Sequence, residues 1–206
     1  VYTNKTVAGA MRAYGMPQAT FFTEAHTEDI CKQMNLDSVE FRRKNSMPKG
    51  FVDSFSKNEN YYDTYNLLID KVMEMTDYEE KRKLYDQPQE GPVRRGIGMS
   101  LFWYNTAVWP ISVETSACRM VLNQDGSIQL QMGETEIGQG ADTVFSQMAA
   151  AAVGIPVEDV NIVSTQDTDI TPFGLGAYGS RQTYVAGFSI KQTGSILKER
   201  ILENAH

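Results

Sequence analysis

One glycine-rich stretch, called loop A below, decides how this 206-residue chain is interpreted. It reads Gly133-Glu134-Thr135-Glu136-Ile137-Gly138-Gln139-Gly140-Ala141-Asp142-Thr143. An apolar, strand-like run (127–132) leads into it, and a helix-like run (143–153) follows. Glycines at such a junction let the backbone approach another group closely, and the first free N–H groups of the helix point to the same place. The pattern predicts a binding loop or a tight turn that only needs positive φ angles, and spacing does not separate the two.

A second glycine-rich stretch, residues 171–182, repeats this design and is called loop B. It reads Thr171-Pro172-Phe173-Gly174-Leu175-Gly176-Ala177-Tyr178-Gly179-Ser180-Arg181-Gln182. A hydroxyl, a guanidinium and helix N-terminal amides make a good phosphate or pyrophosphate seat at Ser180 and Arg181. The alternative is an N-cap serine followed by a surface arginine. Neither loop is a P-loop or a dinucleotide fingerprint, and two such loops suggest an anion-bearing ligand held between them.

Further polar candidates lie within loop A and at residues 12–14. Gln139 stands between two glycines, so its amide is free to donate and to accept hydrogen bonds. Glu134 and Glu136 are better explained as structural carboxylates than as a catalytic pair, because nothing nearby sets them apart chemically. Arg12 and Tyr14 would bring a guanidinium and a stacking ring to a planar ligand, although an ordinary buried turn explains them better when they are taken alone.

Composition excludes several classes of protein. The hydrophobic content of 41% and charged content of 22% are ordinary for a soluble domain with a core. A net charge of -7 argues against a nucleic-acid partner. No apolar run approaches the roughly 18 residues of a membrane span. Two distant cysteines and two histidines predict a cytoplasmic protein that brings no metal site of its own.

The predicted fold class is α/β (α+β), in two segments. Residues 1–90 are mostly helical, with Pro17 in the first turn of one predicted helix and Asp37 as the cap of the next. The Pro- and Gly-containing run 87–92 predicts a boundary near residue 90. Residues 91–206 form an α/β segment with predicted strands at 95–102 and 112–122, a hairpin turn at 123–126 and a long helix at 184–204. Both ends of the chain resemble interrupted elements, so the sequence is expected to be an internal fragment.

Three motifs together resemble the molybdenum-binding subunit of the xanthine dehydrogenase and aldehyde oxidase family. They are residues 11–18, 133–147 and 171–182, in the family's order and spacing. The resemblance covers nearly the whole chain and is closest to bacterial three-subunit enzymes, through residues 123–126 and 166–169. It implies mixed sheets with packed helices and a hydroxylase of heteroaromatic rings or aldehydes that uses oxygen from water. It also implies molybdopterin, with or without a cytosine nucleotide, and electron transfer through [2Fe–2S] clusters to FAD and usually NAD.

The resemblance also implies site residues. Tyr14 would stack on the substrate, where purine-using relatives often carry Phe, so the substrate's identity stays open. The family's catalytic glutamate would lie beyond His206, so the fragment is expected to hold no catalytic residue and to be inactive alone. The residues implied to bind the cofactor are Arg12, Gly138, Gln139, Gly140, Thr143, Ala177, Tyr178, Ser180 and Arg181.

Three functions follow from these observations. The first is a piece of a purine hydroxylase acting on hypoxanthine or xanthine, with the rest of the molybdenum subunit and iron–sulfur and FAD subunits as partners. The second is a molybdenum hydroxylase of another substrate, such as an aldehyde, nicotinate or carbon monoxide. The third is a non-catalytic assembly module whose glycine loops serve folding only.

Overall fold

The architecture comes from a computed structural model, which describes residues 2–7, 9, 11–54, 56–163 and 167–205. Gln166, part of the motif at 166–169, lies outside the described residues. The chain divides into two compact units, Gly15–Tyr104 and a second unit made of Val1–Tyr14 with Asn105–His206. This division falls beyond the boundary predicted near residue 90, because the chain after the linker stays with the helices.

The Gly15–Tyr104 unit is helical. Its helices are α1 Met16–Met34, α2 Ser38–Asn45, α3 Thr64–Thr76 and α4 Tyr78–Tyr85. The Asp37 carboxylate starts α2 by accepting hydrogen bonds from the backbone N–H groups of Val39 and Glu40 at 2.8 and 2.9 Å. Val39 also belongs to a small buried cluster with Ile69 and Tyr78. The sequence therefore predicts this unit's helices well.

The predicted strand at residues 95–102 is wrong. That segment has no regular secondary structure, although Ile97, Met99 and Leu101 pack on the buried helical cluster as the alternating pattern requires. Its backbone bonds to side chains instead of to a strand. Leu101 donates its N–H to Glu24 at 2.8 Å, and the carbonyl of Ile97 accepts from the guanidinium of the α4 arginine at 3.0 Å.

The second unit contains a three-stranded mixed sheet covered by helices. Its strands are β1 Cys118–Leu122, β2 Ile128–Met132 and β3 Val160–Val163, in the order β1-β2-β3. β1 and β2 are antiparallel, with Cys118 opposite Met132, whereas β2 and β3 are parallel. A hairpin turn joins the first pair, and α5 Ala141–Val153 connects the second. A short 3-10 turn, Val157–Asp159, precedes β3.

The core of this unit lies between the sheet and two helices. A π-helical turn, Gln182–Ala186, runs directly into α6 Gly187–Asn204, so the predicted long helix is present with a modified first turn. The core consists of buried apolar side chains from β2, β3, α5 and α6 and the turn before α6: Leu130, Met132, Ala141, Phe145, Ala149, Ala150, Val160, Ala186 and Ile190. Loops A and B are therefore anchored at elements that pack into this core. Within the described residues, no helix is both long and apolar enough to cross a membrane.

Only the last part of the predicted strand at 112–122 is a strand. β1 begins at Cys118, and Ser116 forms an isolated bridge to Gly174 of loop B. The residues before the strand use their polar groups elsewhere: Glu114 accepts from the N–H of Val108 at 2.6 Å, and Thr115 accepts from Arg181. The predicted α/β class with mixed sheet and packed helices is confirmed.

Candidate functional site

Loop A closes on one of its own carboxylates. Gly138 and Gly140 adopt φ angles of +94° and +87°, which turn successive N–H groups toward Glu136. Glu136 accepts from the N–H groups of Asp142, Gly140 and Gly138 at 3.1, 3.2 and 2.6 Å. These backbone hydrogen bonds, the one from Asp142 foremost, lower the pKa of the Glu136 carboxyl. The amides expected to face an external anion are therefore capped internally.

The Gln139 side chain is also engaged, and it links loop A to loop B. Its Oε1 accepts from the N–H of Ile137 at 2.7 Å, and its Nε2 donates to the carbonyl of Thr135 at 3.0 Å. The same Nε2 donates to Oε1 of Gln182, whose own Nε2 donates to Thr135 at 2.7 Å. Gln182 thus joins the two loops. Sequence reasoning missed this role, although a glutamine at the end of loop B was the available signal.

The two loops also cross backbone to backbone. A Cβ placed on Gly133 would lie 2.3 Å from the nitrogen of Gly174 and 2.4 Å from the carbonyl oxygen of Pro172. A Cβ on Gly174 would lie 2.5 Å from the carbonyl carbon of Gly133. Because no side chain fits at either position, glycine is required for the close approach. The structure therefore brings loops A and B together.

Loop B keeps several backbone donors open. Gly179 and Ser180 have φ angles of +58° and +55°, and the carbonyl of Gly179 is held by the N–H of Ala107 at 2.6 Å. The N–H groups of Ala177, Tyr178 and Ser180 donate no hydrogen bond within the part of the chain that the structure describes. Successive free amides around left-handed residues form an anion-binding concavity. Loop B therefore offers free N–H donors, whereas Glu136 already accepts hydrogen bonds from those of loop A.

Arg181 lies inside the protein and serves its own carboxylates. The side chain is 0% exposed. Its Nε donates to Glu114 at 2.6 Å and its Nη1 to Glu134 at 2.8 Å, and the carbonyls of Gly176 and Thr115 accept at 3.1 and 2.5 Å. Burial lowers the pKa of the guanidinium, but the hydrogen bonds and charges of the two carboxylates outweigh it and the net pKa is raised. The sequence predicted an arginine at the surface or facing a phosphate, whereas Arg181 is buried and paired with two carboxylates.

Arg12 and Tyr14 lie in an exposed turn. The N–H of Tyr14 donates to the carbonyl of Met11 at 2.6 Å, and Tyr14 has a φ angle of +53°. Tyr14 is 78% exposed, so the turn is not the buried one expected. Neither side chain has a hydrogen bond or ion pair to a described residue. Their contact with substrate or cofactor stays a prediction.

An open groove of about 500 Å³ borders loop B and the start of α6. Its lining is mainly apolar and includes Tyr184 and Phe188, which are one helical turn apart and well exposed. Ser180 is one of its lining residues, so a ligand on loop B would have an apolar surface beside it. The sequence signal was an aromatic pair at helical spacing after the glycine loop. The other lining residues are Thr106, Met148, Thr183, Gly187 and Lys191.

Comparison with protein families identifies the chain. One model, described as a molybdopterin cofactor-binding domain, matches residues 71–206, and a second with the same description matches residues 1–46. The chain belongs to the molybdopterin cofactor-binding domain family. Both loops lie within the first match. This match confirms the resemblance drawn from the three motifs. The cofactor class of the chain is molybdopterin.

Individual relatives agree with this assignment. The xanthine dehydrogenase molybdenum-binding subunit of Escherichia coli is 44% identical over 204 residues, which are 99% of this chain and 27% of the relative. The carbon monoxide dehydrogenase large chain of Hydrogenophaga pseudoflava is 31% identical over 92% of this chain and 25% of the relative. The molybdopterin-binding chain thus spans about a quarter of the length of these relatives.

A solved structure supports the fold. The crystal structure of Cu,Mo-CO dehydrogenase in its carbon monoxide reduced state superimposes with a TM-score of 0.78 at 26% identity. The superposition covers 97% of this chain and 27% of the other. The fold of this chain is therefore shared with part of a molybdenum enzyme.

Proposed function

We propose that the molybdopterin-binding chain forms one wall of the cofactor seat in a xanthine dehydrogenase-like molybdenum hydroxylase. The observation that carries the proposal is the contact between loops A and B. Gln139 and Gln182 bond to each other, and the loop backbones cross at Gly133 and Gly174. Two loops of a cofactor-binding family held together in one compact unit act as one surface, not as two independent turns.

The donors of loop B suit a phosphate-bearing pterin. The free N–H groups of Ala177, Tyr178 and Ser180 and the exposed Ser180 hydroxyl would hold phosphate oxygens. The exposed Thr143 would add a hydroxyl from the first turn of α5, next to Gly138, Gln139 and Gly140. When bound, the molybdenum–pterin group supplies the two-electron oxidation that places a water-derived oxygen on the substrate carbon.

The chain's own residues orient the cofactor and do not react. Glu136 and Gln139 fix the shape of loop A through hydrogen bonds within the loop, so the loop is formed before any ligand arrives. Tyr14, with an exposed ring, would stack on a planar substrate near Arg12. The catalytic residue is proposed to be a glutamate outside this sequence, and the 206-residue chain alone is proposed to be inactive.

The proposed substrate class is a purine, hypoxanthine or xanthine. Its support is the 44% identity to a xanthine dehydrogenase molybdenum-binding subunit, compared with 31% identity to a carbon monoxide dehydrogenase large chain. The proposal includes iron–sulfur and FAD subunits as partners in the cytoplasm, and a pterin with or without a cytosine nucleotide. A hydroxylase of carbon monoxide, nicotinate or an aldehyde is the alternative, and a non-catalytic assembly module is the third candidate.

The test is to purify the intact parent complex from its host and analyse it. We expect molybdenum and pterin in a one-to-one ratio with the subunit, and oxidation of hypoxanthine or xanthine faster than that of nicotinate, aldehydes or carbon monoxide. The 206-residue chain purified alone is the control and should show no turnover. A complex without molybdenum and pterin would contradict the proposal and favour the assembly module. A complex that contains molybdenum and pterin but does not oxidise purines would contradict only the proposed substrate class.

A further inference from the structure

The most buried ionic group of the second unit joins loop A, loop B and the segment that precedes β1. Arg181 belongs to loop B, and its partner Glu134 is the second residue of loop A. Glu114 and Thr115 lie just before β1, and the carbonyl of Gly176 lies further back in loop B. Arg181 and Glu134 are 0% and 1% exposed. One guanidinium therefore connects both loops to the segment that precedes β1.

We propose that Arg181 is a positioning residue that fixes loop A against loop B, with Glu134 as its main counterpart. The proposal deepens, and rests on, the proposed role of the two loops as a cofactor seat. Arg181 cannot touch a ligand through its guanidinium, because protein acceptors surround it. Its effect on a cofactor would be indirect, through the distance between the donors of Ser180 and Thr143 in the first turn of α5.

Arginine is needed here because of its shape. A planar fork with five donors serves four acceptors on three segments, whereas a lysine ammonium has three donors at one point. Removing one partner of such a buried cluster leaves a buried charge without compensation. Substituting apolar groups would often stabilise a fold equally well. The cluster is therefore better explained by the geometry it imposes than by the stability it adds.

The Gly15–Tyr104 unit offers a matched control. Arg42 is 3% exposed and donates to Glu24 at 2.7 Å and to Glu28 at 2.8 Å, so it too is a buried arginine between two glutamates. Nothing connects it to loops A and B within the described residues. An Arg42→Lys variant therefore reports what the loss of a buried fork costs in general. An Arg181→Lys variant adds the effect on the loops.

The first experiment is hydrogen–deuterium exchange on the full-length parent subunit prepared without cofactor. In Arg181→Lys, we expect the amides of residues 133–142 and 172–182 to exchange faster together, on the order of tenfold. Arg42→Lys should leave both peptides unchanged. If exchange rises in neither loop, or in one alone, the proposal is wrong. Should Arg181→Lys fail to fold, Glu134→Gln decides, since it keeps the side-chain shape and should give the same paired increase.

The second experiment measures release of the pterin from the intact holoenzyme at a temperature well below unfolding. The pterin released over time is oxidised and measured by fluorescence. Arg181→Lys and Glu134→Gln should release it on the order of tenfold faster than wild type, and Arg42→Lys at the wild-type rate. Equal release from all variants would overturn the proposal. If wild-type enzyme contains no pterin, the proposed function fails, and the exchange experiment still decides whether Arg181 positions the loops.

Discussion

Replacing Gly133 by alanine should separate the two glycine loops and destabilise the second unit. The new Cβ would lie 2.3 Å from the nitrogen of Gly174, whereas ordinary contact begins at 3.4 Å, so the loops must move apart by about 1 Å. All three of the nearest atoms are backbone, and none can rotate away. Overpacking costs about 1–3 kcal/mol, and this substitution should fall near 3 kcal/mol.

Urea unfolding of the chain, followed by far-ultraviolet circular dichroism, measures this cost. A loss of about 3 kcal/mol lowers the urea midpoint by about 1–2 M at a typical slope. Gly187→Ala is the control in the same unit. Its Cβ would meet only the end of the Met148 side chain at 2.2 Å, which can move, so the change should stay within about 1 kcal/mol. The reasoning is refuted if Gly133→Ala matches wild type or if the control is the costlier variant.

Three further predictions concern groups outside that crossing. Backbone hydrogen bonds lower the pKa of Glu136, so its contribution to stability is present above the unfolded pKa of about 4.5 and is lost as pH falls through the lower folded value. The melting temperatures of wild type and Glu136→Gln should therefore differ at pH 7 and converge in acid. A difference that persists unchanged in acid would contradict this. Burial, foremost, raises the pKa of the Cys118 thiol, so its alkylation by iodoacetamide at pH 8 should be slow in the folded chain and faster after unfolding in urea. Mass spectrometry measures both rates, and equal rates would refute this prediction. Asp37→Ala removes the cap of α2 and should cost about 1 kcal/mol in urea unfolding, while Asp37→Asn should restore most of it; no difference between the two variants would count against the cap.

Local chemistry made the helices and the hairpin predictable. Pro17 at the start of α1, the Asp37 cap of α2 and the turn at 123–126 depend on neighbours in the sequence, and the structure confirms each of them. The alternating apolar residues at 95–102 pack on the helical cluster, but alternation alone does not identify a strand partner. Without one, the segment is irregular even though Ile97 is packed.

The loops were predictable in kind, but the contacts of their side chains were not. Glycine spacing and the three motifs indicated both loops and the cofactor class. The internal cap of Glu136 and the burial of Arg181 depend on tertiary structure, since Glu114 and Glu134 lie 67 and 47 residues from Arg181 along the chain. A guanidinium next to a predicted helix start reads as a ligand donor until its long-range partners are known.

The central claim is that loops A and B form one cofactor seat, and the most direct measurement is an electron cryo-microscopy structure of the intact parent subunit with its cofactor bound. The account predicts pterin density against both loops, with phosphate oxygens within hydrogen-bonding distance of the N–H groups of Ala177, Tyr178 or Ser180. Arg181 should remain paired with Glu134 beneath them. Cofactor density that contacts neither loop, or loops separated from each other in the loaded enzyme, would contradict the account.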